Sequence, residues 1–599
     1  MNDTVETPGA GAGGPQGERP ALTAEELRHR YDSVLALARS GATAFAQKRF
    51  NELALDKADA EGQMRIDIGS LAGRIAKDRA LACDDRSERK ALMSQAANIY
   101  EAVFHLTPNT YPLVNVAALR LWAGDKENSR KAAEAVLELL AKAPPAEQGY
   151  WHFATLAEAH LLSGDTASAA RAVERAARLG RKAELTQWYS YASTRRQLRQ
   201  SCRILGESEA FLELLKVPPL IVYTGDRPGP RFRPDQEPAL AAAIQAKLEA
   251  EESHIGVGSL AAGADILFAE ALLARGADLH VVLAFQTDMF IEEMVAPHGA
   301  RWIERFNRCL ARARSVKHAT NYGYQGHAAP VRYACRLAMG QAILRARSFD
   351  TSAVLLAACD IGTPLAAGMF DPAEDAAFWA GTGRRVLFIK PDGQTVEASN
   401  HPRSTAKPGS DDHINSAAVL FGDLHGFSSM PESLVTRYAE RVLGGIGDVF
   451  DKYGTHLLSR NSWGDGIFAQ FDNVVAAARC AIDVQSLLHR PDISELDTGV
   501  HMSMRIGLHY GPVQRVFDRV QGRVGYMGIH VVQAARIEPI AVPGMIYVSE
   551  AFAAALAIDA ETGLVCDYLG EVETAKKFGR VPLYELRSRG ASGQTPRPT

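Results

Sequence analysis

The stretch that decides the reading of the C-terminal third is AAVLFGDLHGFSSM, Ala417 to Met430. Val419, Leu420 and Phe421 suit a covered strand, and Asp423 ends it just before a turn marked by Gly426. A carboxylate there is costly unless it is paired, hydrogen-bonded or holding a cation. A partner follows in THLLSRNSWGDGIFAQF (Thr455–Phe471), which reads as two short strands about a tight turn at Gly464-Asp465-Gly466. If Asp423 and Asp465 end on neighbouring strands, their carboxylates converge and repel unless a cation lies between them. Hard divalent ions with oxygen ligands, Mg²⁺ or Mn²⁺, fit such a pair and act with substrate phosphates. A lone aspartate at a strand end is more often a cap; two, each beside glycine, point to a metal.

Between and after these strands the pattern alternates. PESLVTRYAERVLGGIGDVFDKYG reads as a helix with Pro431 in its first turn. NVVAAARCAIDVQSLLH reads as a second helix, and HMSMRIGLHYGPV alternates as a half-buried strand does. Upstream, residues 392–412 lack periodicity and are rich in turn formers, which makes them the clearest linker in the chain.

Residues 216–391 carry short apolar strands alternating with helices, as in PPLIVYTGDRPGP, SAVLLAACD and GRRVLFIKP. That alternation predicts a parallel sheet covered on both faces. Gly256, Gly258 and Gly263 lie where a strand end meets a helix, a place where backbone N–H groups can cradle phosphate, and Gly225, Arg227 and Asp265 are expected to join them in a candidate ligand pocket. The spacing is not the dinucleotide fingerprint, so a ligand pocket and a purely structural α/β domain both stay open.

Residues 22–215 read as helix, rich in alanine, leucine, arginine and glutamate. NVAALRLWAGDKENSRKAAEAVLELL and FATLAEAHLLSGDTASAARAVERAARL repeat one plan: apolar helix, Gly-Asp turn (Gly124–Asp125, Gly164–Asp165), alanine-rich helix. Stacked hairpins follow, with a concave face suited to a protein partner; a helical shell packed on the rest of the chain is the alternative.

The whole chain has 599 residues, too many for one core, with 70 acidic and 66 basic residues. A net charge of −4 gives no basic footprint for nucleic acid. The seven cysteines form no CxxC pair, and no apolar run approaches the ~20 residues that span a bilayer. The glycine-rich residues 1–21 read as a flexible tail rather than a signal peptide, and 591–599 as a second tail. A cytoplasmic protein without membrane or nucleic-acid partners is expected.

FGDLHGFS, WGDGIFAQF, MRIGLHYGPV, GIHVVQAARIE and PGMIYVSEAF, in that order, resemble the catalytic domain of class III adenylyl and guanylyl cyclases across residues 413–590. The helical block resembles tetratricopeptide repeats, and the middle block looks like the Rossmann-like nucleotide- or ligand-sensing domains related to LOG and DprA proteins. The resemblances imply all-α repeats, then a Rossmann-like parallel sheet, then an α+β ferredoxin-like domain that works as a homodimer with composite sites. They imply a nucleoside triphosphate substrate, two Mg²⁺ or Mn²⁺ ions held by Asp423 and Asp465 beside the Leu424 carbonyl, and control by the upstream domains through a protein partner or a small-molecule or nucleotide effector. Arg536 matches the transition-state arginine, supplied across the dimer, and Lys577 a phosphate-contacting lysine.

The departures fall on base and ribose recognition. Asn461 and Gly525 stand at the two base-reading positions, and Val532 replaces the ribose-orienting asparagine. Valine donates no hydrogen bond, so positioning must come from elsewhere or turnover suffers. Asn461 leaves relaxed selectivity or a pyrimidine substrate open, with ATP the first choice on family prevalence. A phosphodiesterase or polymerase also uses paired aspartates, but no histidine–aspartate cluster accompanies these. An inactive, nucleotide-binding or dimerising scaffold is the second reading.

Overall fold

The computed structural model describes residues 23–39, 41–83, 85–144, 148–180, 186–321, 328–360, 362–363, 365, 369–397, 414–427, 430–490, 493, 502–559, 562–575 and 579–589. Helices come first: α1 (Ala24–Arg39), α2 (Thr43–Glu52), α3 (Gly62–Ala82), α4 (Arg86–Leu106), α5 (Thr110–Ala123), α6 (Lys126–Ala141), α7 (Tyr150–Ser163), α8 (Thr166–Gly180) and α9 (Thr186–Leu205). Both Gly-Asp dipeptides do the same local work. Gly124 and Gly164 end α5 and α7 in the left-handed region (φ 102° and 95°), where a side chain would be strained. Asp125 and Asp165 then cap the next helices by accepting from the Asn128 and Ser168 amides. Two antiparallel hairpins result.

The middle of the chain forms β1 (Leu220–Gly225), α10 (Glu237–Ala250), β2 (Ile255–Gly258), α11 (Ala264–Ala274), β3 (Asp278–Leu283), α12 (Thr287–Met294), α13 (Ala300–Arg312), β4 (Ser315–His318), α14 (Ala329–Ser348), β5 (Ala353–Ala358), α15 (Pro372–Gly381), β6 (Val386–Ile389) and β7 (Thr395–Glu397). The sheet order is β4-β3-β2-β1-β5-β6-β7, parallel through β6. Strand order reverses between β1 and β5, which opens a crevice at their C-terminal ends. β7 pairs antiparallel with β6, so the segment read as a linker from residue 392 begins inside the sheet. A strand of three residues with one apolar side chain gives no periodicity to detect.

The C-terminal region runs β8 (Ile414–His425), α16 (Val435–Tyr438), α17 (Gly444–Lys452), β9 (Leu457–Trp463), β10 (Gly466–Phe471), α18 (Val474–Leu488), β11 (Ser503–Asp518), β12 (Arg523–Met527), α19 (Ile529–Ile537), β13 (Ile546–Ser549), α20 (Glu550–Ile558), β14 (Leu564–Glu573) and β15 (Arg580–Ser588). Its sheet order is β14-β15-β13-β11-β8-β10-β9, with β12 paired to β11. The helix expected from Pro431 is broken into pieces. Pro431 is extended (ψ 136°) before a 3-10 turn, and a π turn at Ala439–Leu443 separates α16 from α17. Leu420, Ile467, Met504 and Leu508 face a core with α17, α18 and α20. The opposite face carries Ala417, Val419, Phe421 and Phe468, with Ala534 of α19 and Tyr526 of β12.

The three regions are packed together. Arg195 and Arg199 of α9 pair with Asp350 after α14, and Phe45 of α2 packs beside Ile537 and Leu569.

Candidate active site

Register brings the two aspartates together. β8 and β10 pair antiparallel with Gly466 opposite Asp423, so Asp465 sits in the adjacent turn. The Leu424 amide donates to the Asp465 carbonyl at 3.1 Å, tying the turn to β8, while the Leu424 side chain points into the core on the other face. Gly464 (φ 71°) makes that turn possible, and the Tyr438 hydroxyl donates to its carbonyl at 3.1 Å. Burial, then the charges of Asp465 and Asp423, push the Tyr438 phenol upward.

Two further groups enter this site that sequence reasoning missed. Arg505 lies opposite Asp423 in the β8–β11 ladder, and its guanidinium pairs with the Asp423 carboxylate. Its Nε lies 3.3 Å from Glu538 Oε1, at an angle that makes no hydrogen bond. Burial raises the Glu538 carboxyl to about 7, Arg505 opposes the rise, and Asp423 and Asp465 add to it. Two carboxyls, Asp423 and Glu538, thus flank one arginine. Among the described residues no cluster of three or more acidic, histidine or cysteine side chains is arranged to hold a metal.

Helix α19 carries Arg536 and lies flat on β11 because of two glycines in IGLHYG. A Cβ on Gly507 would come within 2.4 Å of the Glu538 amide nitrogen, and one on Gly511 within 2.3 Å of the His530 ring. Between them His509 Nε2 meets His530 Nδ1 at 2.8 Å, and His509 Nδ1 meets Ser549 Oγ at 2.8 Å. Burial lowers both imidazoles, His530 to about 4, so the pair stays neutral and packs as apolar rings. Arg536 itself is half-buried and makes no ion pair among the described residues. Lys577 lies outside the described residues.

The positions expected to read the base lie on β9 and β12. Asn461 is opposite Phe468 in the β9–β10 ladder, and Phe468 and Tyr526, the neighbour of Gly525, pack against the same apolar cluster. Nothing lies within 4 Å of where a Gly525 side chain would begin. Val532 is in the first turn of α19 and exposed. Trp463, Phe517, Val520, Val524 and Met527 are also exposed, with Phe517 at 63%. These large apolar side chains lie on an edge strand, a hairpin and a helix start, and exposed apolar side chains of this kind are candidates for an interaction surface. Phe517→Asp is expected to shift the chain toward monomer at micromolar concentration with its melting temperature little changed, read by sedimentation velocity.

The middle-domain residues separate. A cavity of about 450 Å³ at the crevice beside β1 is lined by Gly225, Arg227, Gly258 and Asp265 among others. Gly256 does not line it: its missing side chain makes room for Leu272 of α11. Gly263 (φ 102°) sits against the Asp226 carbonyl, 2.5 Å from where a Cβ would be. Three amides at this turn already bond within the protein. Ala261 donates to Asp265 Oδ2, Ala262 to the Met294 carbonyl and Ala264 to the Asp226 carbonyl. Gly256 and Gly263 serve close packing, while Gly225 and Gly258 also line the cavity. Burial raises the Asp265 carboxyl to about 7, offset in part by the Ala261 and Gly225 amides and by Arg227.

Residues 411–587 match the family described as adenylate and guanylate cyclase catalytic domain, and residues 21–203 match the family described as MAP3K TRAFs-binding domain. The C-terminal region is therefore similar to cyclase-type catalytic domains. Among solved structures, the guanylate cyclase domain of RhGC from Catenaria anguillulae is 20% identical, covering 29% of this chain and 97% of that one, with a TM-score of 0.25. The adenylyl cyclase CyaB from P. aeruginosa is 18% identical, covering 30% and 98%, with a TM-score of 0.26. No curated protein matches the chain.

Proposed function

We propose that this chain is a nucleotidyl cyclase, converting a nucleoside triphosphate to a 3′,5′-cyclic nucleotide and pyrophosphate at a site shared by two copies. The observation that carries the reading is the meeting of Asp423 and Asp465 at adjacent strand ends within the cyclase-type region. Their all-oxygen donor set fits hard divalent cations, and Asp423, Asp465 and the Leu424 carbonyl are the groups that would hold two Mg²⁺ or Mn²⁺ ions. Bound there, such ions lower the pKa of the ribose 3′-hydroxyl and absorb charge on the leaving pyrophosphate. Arg536 of a second copy meets the charge growing on the α-phosphoryl oxygens with its guanidinium fork. Lys577 contacts the phosphates. Asn461 offers an amide to the base, Gly525 leaves room beside it, and Val532 gives the ribose no hydrogen bond. ATP is the first choice of substrate. The exposed apolar set around Phe517 supports a homodimer.

A scaffold with an inactive catalytic domain is the second reading, favoured by one contact: Arg505 already neutralises Asp423. The decisive experiment offers the protein ATP, GTP, CTP and UTP with Mn²⁺ or Mg²⁺ and reads products by mass spectrometry. Cyclic product from at least one, dependent on the metal, is the expected result. None from any, in folded and dimeric protein, leaves the scaffold reading standing.

The helical array supports a protein-partner surface, and contacts of α2 and the middle domain with the catalytic region support control by the upstream domains. A cytoplasmic setting suits seven free cysteines, and no described helix is long and apolar enough to cross a membrane.

A further inference from the structure

We propose that the middle-domain cavity is an effector site for a small zwitterion with an apolar body, such as a branched or aromatic amino acid, and that α14 reports its occupancy to the catalytic domain. The reporting half rests on the cyclase reading for its purpose; the binding half does not.

The cavity lies at the C-terminal ends of β1 and β2, beside the point where strand order reverses, the usual ligand position in an open parallel sheet. Its volume of about 450 Å³ suits a small metabolite, and its walls include Val282, Ala284, Met294, Val331, Ala338 and Phe370. Two polar groups within this apolar lining are short of partners. Asp265 is 6% exposed, and its Oδ1 has no hydrogen-bond partner among the described residues; the nearby Gly225 amide is outside hydrogen-bonding geometry. A buried acceptor in that state calls for a donor, and an ammonium group supplies one. Among the described residues Arg227 bonds only Met294 Sδ, at 3.7 Å, a weak acceptor. Its guanidinium fork is free to take a carboxylate in two parallel bonds. Arg231, by contrast, is spent on Asp226 and Asp371. At the turn before α11 the Ala261, Ala262 and Ala264 amides are satisfied by the protein, which leaves fewer donors there for a phosphate.

Helix α14 forms one wall through Val331, Ala334, Cys335 and Ala338. Positions on its other side are docked on the catalytic domain. The Tyr333 hydroxyl donates to the Tyr510 carbonyl at 3.0 Å, and its ring meets the His530 ring edge-on at 5.6 Å. Gln341 donates to Glu550 at 3.0 Å, and Gly340 abuts the Ala554 backbone so closely that a Cβ would lie 2.2 Å from its carbonyl oxygen. His530 is on α19, the helix of Arg536. A packed helix shifts as a unit, so a ligand that moves α14 on one side moves its seat on the other.

The test uses full-length protein and two readouts independent of catalysis. Thermal shift is measured with L-leucine, L-phenylalanine and L-tryptophan, with 3-phenylpropanoate and phenethylamine as analogues lacking one charge each, and with AMP and inorganic phosphate. At least one amino acid should raise the melting temperature by about 3 °C or more near saturation. Removing either charge should weaken binding at least about tenfold, as should Arg227→Gln; Ala338→Leu should fill the cavity and abolish binding. Hydrogen exchange should then change in residues 529–537 on binding, and Gly340→Ala should keep binding but lose that response. No shift with any of the three amino acids, or a shift with AMP or phosphate alone, overturns the ligand class. Binding without any change at 529–537 overturns the relay. Should Ala338→Leu fail to fold, Arg227→Gln, altering a half-exposed side chain, still decides the site.

Discussion

Asp423→Ala is expected to lower metal-dependent cyclisation about 10³-fold or more, and Asp465→Ala to do the same. Both carboxylates are assigned to the same pair of cations, so losing one removes half of the charge that holds them. Effects of one preorganised electrostatic group on turnover already reach about 10²–10³. The fold should survive. The Asp423 side chain is 27% exposed, and Arg505, freed by the change, still has Glu538 beside it. A circular dichroism melt within a few degrees of the unchanged protein, together with lost product at saturating Mn²⁺, is the expected combination. Activity within tenfold of the unchanged protein for both variants removes the pair from the metal centre. Lost activity with a collapsed melt says only that the strand end is structural, and Asp423→Asn then separates charge from shape.

The adjacency of Asp423 and Asp465 was legible because glycine marks both turns and the flanking residues alternate. Gly466 opposite Asp423 is the register that such alternation predicts. The Gly-Asp hairpins were legible for a similar local reason, since a left-handed glycine followed by a capping aspartate is a complete signal in two residues. Arg505 was not. It reads in MRIGL as one polar position of a half-buried strand, and only the long β8–β11 register sets it against Asp423. Glu538 was hidden likewise, because its place depends on how α19 lies across Gly507. The middle-domain glycines were ambiguous for the opposite reason. A Gly-rich turn before a helix serves anion binding or close packing equally well, and only the bonding of the neighbouring amides tells them apart. Long-range register and hydrogen-bond accounting were the missing knowledge in each case.

Mixing Asp423→Ala protein with Arg536→Ala protein is expected to restore activity that neither has alone. Arg536→Ala should cost about 10²–10³ in turnover, the usual range for a group that meets transition-state charge. Within one chain Arg536 makes no ion pair with either aspartate, although α19 and Asp423 share one face of the sheet. A two-fold dimer offers a way to use both: the aspartates of one copy face the arginine of the other, and each dimer carries two such sites. In a mixed dimer one site loses both groups and the other keeps both. Random exchange makes half of the dimers mixed, so an equal mixture should recover about a quarter of the unchanged protein's rate per chain. Recovery should rise with time of mixing and vanish with Phe517→Asp in both chains, which removes the exposed apolar contact. No recovery after exchange is demonstrated by labelled subunits means that each site is complete within its own chain, and Arg536 then acts from the same copy as Asp423.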